Sequence, residues 1–316
     1  MRHRLEYLLV AFVALFIRLL PWTIVSVAGE ALGLAFYGFD LPRRRVALSN
    51  LAHAFPTRTV AERRTIARRV FQHFGRMLFE LLKFSTLAAD EMLARVEFEG
   101  ADRARQAYAA GHGAFFLTAH FGCWETNGLV HGLYFAPIGV MARPLDNPML
   151  HEMLERVRQC TGNWVIYRRG GIRRTLRALE SGQGVAMLID QHIHGSDATL
   201  VDFFNRPAAT TTALAALALR TGAPVIPVFA IPTARGRYRM IYEHAVEPPT
   251  PGSPDPIREY TQRCTDVLEM YVRRYPELWL WMHRRWREPD TALLHMKGMF
   301  PAASPEPETD DNHGAH

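Results

Sequence analysis

The chain has 316 residues, of which 48% are hydrophobic and 22% are charged. This length suits one large α/β domain with additions or two modest domains, and the composition excludes a disordered chain. The formal net charge is +6, but the last sixteen residues hold four carboxylates and no Lys or Arg, which leaves 37 basic against 27 acidic residues elsewhere, a charge of +10. A basic body suits an anionic partner, such as nucleic acid, an acidic lipid surface or a phosphorylated substrate.

The three cysteines indicate neither a disulfide framework nor a zinc site. They stand at Cys123, Cys160 and Cys264, and none belongs to a Cys-x-x-Cys pair. An odd number at these spacings agrees with a reducing compartment.

Residues 5 to 39 form a mostly apolar segment. It is interrupted by three charged residues and one proline: Glu6, Arg18, Pro21 and Glu30. A transmembrane helix needs about 20 predominantly apolar residues, and no convincing signal-peptide cleavage site follows. We therefore expect residues 1–40 to be a retained membrane anchor, either one spanning helix or a helical pair in one leaflet. The alternative is two buried helices of a soluble protein. Arginines on both flanks favour contact with an anionic cytoplasmic leaflet.

A basic amphipathic helix is predicted next. Thr59 and Glu62 have the spacing of a capping box, which marks a helix start. Apolar residues recur at helical spacing from Ile66 to Leu81, and arginines occupy other positions. Such a helix could lie on a membrane beside the anchor, or could expose a solvated arginine face over a buried stripe.

Strands and helices then alternate. The predicted strands are 96–99, 114–117, 139–142, 164–167, 185–189, 224–229 and 238–242. The predicted helices are 101–109, 149–160, 172–181, 210–220 and 257–275. This alternation predicts the α/β class, with a mixed, largely parallel sheet flanked by helices. We assign this domain to residues 41–300, and residues 301–316 to a disordered, Pro-rich acidic tail.

The segment 114–125 carries the most chemical information. Its first four residues read as a strand buried on both faces. His120 follows the C-terminal end of that strand, where open α/β sheets place their ligands. Glu125 lies beyond a tight turn, at the start of the next helix. A carboxylate there can accept from one imidazole nitrogen and leave the other free as a base near neutral pH. The alternative is a structural histidine capped by a nearby acid.

Two further sets of residues allow different chemistry. Cys123 lies three residues from His120 and could be a thiolate nucleophile, although a cysteine in an apolar turn is more often inert packing. Asp190, His192 and His194 could bind a metal, because His-x-His on a strand places both rings on one face. No clear third histidine is indicated.

Six blocks of residues stand in order along the chain. They are His120 to Glu125, Arg143-Pro144 with Asn147-Pro148, Ile166-Tyr167-Arg168, Asp190-Gln191 with 201–204 and Thr210 to Thr212, Pro224 to Phe229, and Trp279 to Trp286. Together they resemble the bacterial lipid A biosynthesis late acyltransferases of the lauroyl/myristoyl type, within the wider glycerolipid acyltransferase group. The match runs from the amino-terminal anchor to Trp286, and His120 to Glu125 is similar to the family's His-x4-acid motif. The residues His192 to Gly195 depart from the pattern and could alter the choice of acceptor.

The resemblance implies transfer of an acyl group to a hydroxyl without an acyl-enzyme. It makes His120 the general base and Glu125 the acid that orients it, with backbone amides near Gly122 and the Arg168 guanidinium as oxyanion donors. The substrate-binding residues it indicates are Arg143, Asn147, Arg168, Asp190 and Gln191. Arg143 and Arg168 have the chemistry to bind phosphate in bidentate fashion or to form surface salt bridges.

The same resemblance implies the partners and the location. The donor would be acyl carrier protein or acyl-CoA, and the acceptor an anionic glycolipid at a membrane surface, with no metal and no cofactor. The catalytic domain would lie on the cytoplasmic side of the bacterial inner membrane. Another glycolipid, such as a phosphatidylinositol mannoside, is an alternative acceptor. The protein could instead be non-enzymatic and bind a membrane surface or nucleic acid. Only the net charge favours nucleic-acid binding.

Overall fold

The computed structural model describes residues 2–287, so the predicted acidic tail lies outside the described residues. The nine strands are β1 (Val96–Glu99), β2 (Ala114–Thr118), β3 (Ile138–Ala142), β4 (Trp164–Tyr167), β5 (Gly184–Leu188), β6 (Ala198–Asp202), β7 (Pro207–Thr211), β8 (Val225–Ala234) and β9 (Arg237–Tyr242). The helices are α1 (Arg2–Leu19), α2 (Trp22–Phe39), α3 (Leu41–Ala54), α4 (Val60–Phe84), α5 (Ala89–Leu93), α6 (Ala101–Ala109), α7 (Trp124–Tyr134), α8 (Pro148–Gln159), α9 (Gly171–Glu180), α10 (Ala213–Thr221) and α11 (Pro256–Arg274).

The main sheet has seven strands in the order β1-β9-β8-β2-β5-β3-β4. The strands β8, β2, β5, β3 and β4 are parallel to one another, β9 is antiparallel to β8, and β1 is parallel to β9. This confirms the predicted α/β class with a mixed, largely parallel sheet flanked by helices. Strand β2 is buried at all five positions because helices cover both of its faces.

Side-chain alternation along β2 divides the core in two. Phe115 and Leu117 pack with the cluster that contains α3, α10 and α11, whereas Phe116 packs with the cluster that contains α6 and α7. Helix α7 therefore lies on the Phe116 face of the sheet, and this placement determines where the cleft described below can form.

The region after residue 195 differs from the prediction. The threonines Thr210 and Thr211 end strand β7 and do not open a helix, so α10 starts three residues later than expected. Strands β6 and β7 form a two-stranded antiparallel hairpin, and β6 was not predicted. A β-branched run is more compatible with a strand than with a first helical turn, and the partner strand was absent from the sequence reasoning.

The predicted capping box is present at the start of α4, where Thr59 Oγ1 accepts from the Glu62 amide and the Glu62 carboxylate accepts from the Thr59 amide. The amino-terminal segment folds as two helices that divide at Pro21. Within the described residues, α2 is long and apolar enough to cross a membrane by length and composition.

Helix α2 packs closely on α4. A Cβ added to Gly33 would lie 2.0 Å from the Phe71 carbonyl oxygen, and one added to Gly29 would lie 2.7 Å from the Gly75 oxygen. Small residues at this crossing let the two backbones approach. Many apolar side chains of α1 and α2 are exposed, among them Leu5, Leu8, Phe12, Leu19, Val27, Phe36 and Phe39. Exposed apolar residues in such number are typical of a surface that contacts a membrane or another protein.

Lys83 joins the first helix to the fourth. Its ammonium donates to the carbonyls of Arg18 and Leu20, at 3.0 and 2.7 Å, at the C-terminal end of α1. A cation there satisfies carbonyls that no helical amide can reach. These hydrogen bonds also hold α1 in position against α4.

Candidate active site

Two neighbouring parallel strands each end two residues before a titratable side chain. Thr118 ends β2 and Leu188 ends β5, and these two residues are partners in the register. His120 and Asp190 follow at equivalent distances along the chain, so the sheet brings the two side chains together at its carboxyl edge. Open α/β sheets bind their ligands at that edge.

Asp190 is the hydrogen-bond partner of His120. Its Oδ1 lies 2.9 Å from His120 Nδ1, and its Oδ2 accepts from the His120 backbone amide at 2.9 Å. Burial alone would lower the pKa of His120, but the charge of Asp190 and its hydrogen bond outweigh that effect, and the pKa of the imidazole is raised. The same contacts overcome the burial of Asp190 and lower the pKa of its carboxyl group. Asp190 is therefore a carboxylate, and Nδ1 carries the proton that it accepts.

The closing aromatic segment holds Asp190 in place. Trp279 Nε1 donates to Asp190 Oδ2 at 2.9 Å, and both side chains are buried. Leu280 donates its amide to the His120 carbonyl at 3.1 Å. The buried Arg285 ties this segment to β7 by donating to the Ala209 carbonyl at 2.6 Å. These contacts make Trp279 and Arg285 part of the core behind His120.

The turn after His120 depends on glycine. Gly122 has a φ of +57°, and a Cβ there would lie 2.2 Å from the Ala230 carbonyl oxygen. The buried His73 lies with Nε2 3.1 Å from the Gly122 carbonyl oxygen, and burial lowers the pKa of His73 to about 4. A neutral imidazole can donate that hydrogen bond, so α4 supports the backbone that carries His120.

The structure corrects the expected oxyanion donors near Gly122. The Gly122 amide donates to the Leu278 carbonyl at 2.9 Å, and the Cys123 amide donates to the Ala230 carbonyl at 2.8 Å. Both donors are used to hold the turn against its neighbours, so neither points at the cleft as a free group.

Glu125 also differs from its expected position. Its carboxylate forms a bidentate ion pair with Arg158 of α8, at 2.9 Å from Nε to Oε2 and 2.5 Å from Nη2 to Oε1. The expectation that Glu125 accepts from the imidazole is therefore wrong, because Asp190 occupies Nδ1. Helix α7 turns Glu125 toward α8, and a guanidinium is the better bidentate partner. Its negative charge still helps to raise the pKa of His120 against the effect of burial, although by less than Asp190 does.

A cleft of about 670 Å³ opens beside His120. Glu125, Arg143, Arg158 and Gln191 lie among the polar residues that line it. Its deeper wall is largely apolar and comes from the sheet face beneath α7: Phe116, Ile138, Val140, Ala186, Leu188 and Val228. The edge of the His120 imidazole also meets the Trp124 ring, with 5.2 Å between centroids. The arrangement suits a long apolar substrate chain with a polar reacting end.

Gln191 and Arg143 are placed where a substrate could meet them. Gln191 Nε2 lies 3.3 Å from His120 Nε2, the nitrogen that faces away from Asp190. Arg143 is exposed at the cleft, and it forms no ion pair with a carboxylate within residues 2–287. Asp190 differs from both residues because it is buried behind His120. Its carboxylate oxygens already accept hydrogen bonds from His120 and Trp279. It is therefore not exposed to a substrate in the cleft.

Asn147 does not line the cleft. Its Oδ1 caps α8 by accepting from the Met149 amide at 3.0 Å, and its Nδ2 donates to the His3 carbonyl and to Glu6, at 3.0 and 2.9 Å. The structure therefore gives this side chain a structural role that joins α1 to α8. The Arg-Pro-x-x-Asn-Pro block combines a cleft residue with a helix cap.

Arg168 is also outside the cleft. Its side chain is 90% exposed and lies 3.7 Å from the Asp197 carboxylate, as a surface pair. Such pairs contribute little to stability. The expected oxyanion role of Arg168 has no support from this position.

The rival chemistries weighed from sequence receive little support. Cys123 is buried, and burial raises the pKa of its thiol, which opposes a thiolate. Across residues 2–287, no group of three His, Cys, Asp or Glu side chains is placed to hold a metal ion.

A mostly parallel α/β sheet that places a histidine–carboxylate pair at its carboxyl edge, beside a cleft, has the arrangement of an enzyme active site. A sequence profile described as bacterial lipid A biosynthesis acyltransferase matches residues 1–288. The chain therefore belongs to that family and is an O-acyltransferase.

Similar proteins have related activities. The lipid A biosynthesis lauroyltransferase of Escherichia coli K12 is 27% identical over 272 residues, which cover 85% of this chain and 87% of the relative. The palmitoleoyltransferase of the same organism is 25% identical over 270 residues, covering 85% and 86%. A phosphatidylinositol mannoside acyltransferase of Mycobacterium tuberculosis is 23% identical over 220 residues, covering 68% of each chain.

Sequence reasoning missed two residues of this site. It assigned Asp190 to the substrate and did not single out Arg158. The matching position of Asp190 after a neighbouring strand was a usable signal. Nothing in the sequence pairs Arg158 with Glu125, since they lie 33 residues apart.

Proposed function

We propose that this enzyme transfers a fatty acyl chain from an acyl carrier protein or acyl-CoA thioester to a hydroxyl of a lipid A precursor. The observation that carries the proposal is the His120–Asp190 pair at the opening of an apolar cleft, in a chain of the lipid A acyltransferase family. The cleft receives the acyl chain, and the exposed side of the imidazole receives the acceptor hydroxyl.

His120 is the general base in this proposal. Its Nε2 takes the proton of the acceptor hydroxyl while the oxygen attacks the thioester carbonyl carbon. The tetrahedral intermediate then collapses, the carbon–sulfur bond breaks, and the leaving thiolate takes from the imidazolium the proton that came from the acceptor hydroxyl. Asp190 keeps the proton on Nδ1 and stabilises the imidazolium, as the acid of a catalytic triad does. The acceptor oxygen is the nucleophile, so no acyl-enzyme forms.

Three further side chains assist this reaction. Gln191 Nε2 donates to unprotonated His120 Nε2 and is displaced by the acceptor hydroxyl. Arg143 binds an anionic group of the acceptor, because it is an exposed cation at the cleft. Glu125, paired with Arg158, forms part of the cleft wall and adds negative charge near the imidazole.

The amino-terminal helices dock the enzyme on the inner membrane, with the catalytic domain on the cytoplasmic side. Support comes from the many exposed apolar side chains of α1 and α2 and from the arginines that flank these helices, Arg2 and Arg4 at the start and Arg43 to Arg45 after the end. Binding to vesicles with and without anionic lipid tests this placement, and equal affinity for both would contradict the role of the arginines.

Mass spectrometry of lipid A tests the reaction. A host that lacks its own late acyltransferase would express the wild type or the His120→Ala variant, with membrane levels matched. A mass gain of one acyl group with the wild type alone is expected. A gain with both variants would mean that His120 is not the base.

A second acceptor class has one observation in its favour, the similarity to a phosphatidylinositol mannoside acyltransferase. No gain on lipid A with either variant, combined with acylation of a mannoside lipid by the wild type, would establish this alternative.

A further inference from the structure

The proposed reaction needs a group that stabilises negative charge on the carbonyl oxygen of the thioester. When the acceptor oxygen adds to the carbonyl carbon, an electron pair of the C=O bond moves onto that oxygen, and hydrogen-bond donors aimed at it lower the barrier. The amides of Gly122 and Cys123 are bonded to other carbonyls, and Arg168 is outside the cleft. Another residue of the cleft is therefore needed as the donor.

His283 lines the same cleft as His120. Its turn is attached to the base, because the His283 amide donates to the Leu280 carbonyl and the Leu280 amide donates to the His120 carbonyl, both at 3.1 Å. The buried Asn50 donates through Nδ2 to the His283 carbonyl at 2.8 Å. The backbone of His283 is therefore fixed relative to His120.

The imidazole of His283 contacts the segment that follows β5. Its Nε2 accepts a hydrogen bond from the His192 amide at 3.1 Å. Gln191, the residue before His192, has its Nε2 3.3 Å from His120 Nε2, the nitrogen that acts as the base. His283 is thus held between two segments that each contact His120, one at its carbonyl and one at its reacting nitrogen.

The hydrogen bond from the His192 amide decides which nitrogen of His283 carries a proton. Because Nε2 accepts, the neutral ring carries its proton on Nδ1. Burial lowers the pKa of His283 to about 4, against the opposing charge of Asp190, so the ring is neutral at pH 7. Within residues 2–287, Nδ1 has no hydrogen-bond partner and is not enclosed by protein. Its N–H is therefore free to bind a ligand in the cleft.

A neutral donor suits this position. His120 becomes an imidazolium during the reaction, and a positive charge on His120 opposes protonation of His283. A second imidazolium would in turn make His120 a weaker base, whereas a neutral N–H stabilises the oxyanion without that cost. Neutral histidine acts as an electrophilic donor to a carbonyl in other enzymes.

We propose that His283 is the oxyanion donor of this enzyme and that its Nδ1–H donates to the carbonyl oxygen of the thioester. The hydrogen bond strengthens as the acceptor oxygen bonds to the carbonyl carbon, and it weakens when the C=O bond re-forms and the thiolate leaves. His283 keeps its proton throughout, so the proton path through His120 is unchanged. The proposal rests on the proposed function, because it places the thioester of that reaction beside His120.

Two substitutions separate the N–H donor of His283 from its structural contact. An asparagine amide overlays the Nδ1 side of an imidazole, so His283→Asn keeps a donor there and loses the acceptor for the His192 amide. A glutamine oxygen reaches the position of Nε2, so His283→Gln keeps that acceptor and loses the donor at Nδ1.

The two variants should differ in kcat. We expect kcat of His283→Gln to fall by about 10²–10³-fold with little change in KM for the thioester, the usual result of removing one oxyanion donor. His283→Asn should stay within about ten-fold of the wild type, because it retains most of that stabilisation. A purely structural role of His283 predicts the reverse order.

A donor whose carbonyl oxygen is replaced by sulfur gives a second readout. Sulfur accepts hydrogen bonds weakly, so part of the wild-type preference for the thioester over the dithioester comes from the oxyanion donor. The ratio of the two kcat values should fall by at least about ten-fold in His283→Gln, and His283→Asn should keep it. A loss of folding or positioning lowers both rates alike and leaves the ratio unchanged.

His244→Gln is the matched control. His244 is exposed, and it does not line the cleft. The control should keep the wild-type kcat and the wild-type ratio of the two donors. It shows that replacing a histidine by glutamine does not change either quantity by itself.

The remaining outcomes also have defined meanings. An unchanged kcat in His283→Gln overturns the proposal, and so does a lower kcat with an unchanged ratio of the two donors or an equal loss of kcat in His283→Asn. If the wild type does not transfer from the dithioester, the order of the kcat values of the two variants decides. If His283→Gln is not recovered from membranes, His283→Ala replaces it and the same results are required. Failure of the proposed function is separate, since the wild type would then transfer no acyl group from the thioester.

Discussion

Asp190 contacts His120 twice, through the backbone amide and through Nδ1, both at 2.9 Å. The amide contact fixes the carboxylate relative to the turn, and the Nδ1 contact fixes the imidazole relative to the carboxylate. Trp279 supplies a third donor to the same buried group. The orientation of the ring is therefore set by groups outside the motif that contains His120.

Asp190→Asn should reduce the acyl-transfer rate by about 10²–10⁴-fold with little change in KM, because the amide can stabilise the wrong imidazole tautomer. The pH profile gives a second test. The base must be neutral, so activity rises with pH through the pKa of His120, which Asp190 raises. Loss of that charge should move the rising limb to lower pH. If Asp190→Asn kept the wild-type rate and the wild-type pH profile, the proposed role of Asp190 would be contradicted.

Glu125→Gln and Arg158→Leu should behave as a coupled pair. Each single variant removes one charge of the ion pair and leaves the other charge without its partner. The site is mostly buried, since the Glu125 side chain is 12% exposed and the Arg158 side chain is 15% exposed. We expect each to lower the free energy of unfolding by roughly 1–3 kcal/mol. The double variant should lose less unfolding free energy than the two single variants lose together, as measured by a double-mutant cycle of denaturant unfolding. Additive losses would show that the ion pair does not couple α7 to α8.

Arg143→Ala and Arg168→Ala should differ in their effect on acyl-transfer kinetics, although the sequence makes the two arginines equivalent candidates. Arg143 lies at the cleft, so its loss should raise KM for the anionic acceptor by roughly ten-fold, the value of a charge-assisted hydrogen bond. Arg168 is 90% exposed and away from the cleft, so its variant should keep near wild-type kinetics. Equal losses in both variants would contradict the cleft placement of the acceptor.

Cys123→Ala should retain acyl transfer, because the thiol is buried and its pKa is raised. Thiol alkylation checks this in the folded enzyme. The exposed Cys160 should react first, and Cys160→Ser should remove that labelling while Cys123 stays unmodified. Inactivation of Cys160→Ser by the reagent, with the label on Cys123, would restore the thiolate mechanism as a candidate.

Much of the fold followed from local pattern. The strand 114–117 and the helix that starts at Thr59 were predicted because burial on both faces and a capping box are properties of neighbouring residues. The prediction of a helix starting at Thr210 was wrong because Thr210 and Thr211 pair with β6 in a hairpin. Strand pairing depends on a partner strand that hydrophobic periodicity does not reveal.

The sequence by itself determined the α/β class and the acyltransferase family, and it singled out His120 as the candidate base. His120 was identifiable because it directly follows a recognisable buried strand. Only the tertiary structure decided which acid it meets. Sheet order places β5 beside β2, so Asp190 reaches the imidazole across 70 residues of chain, while the helical turn directs Glu125 to Arg158. Spacing along the chain constrains a site only within one element, and contacts between elements are set by how the whole sheet is assembled.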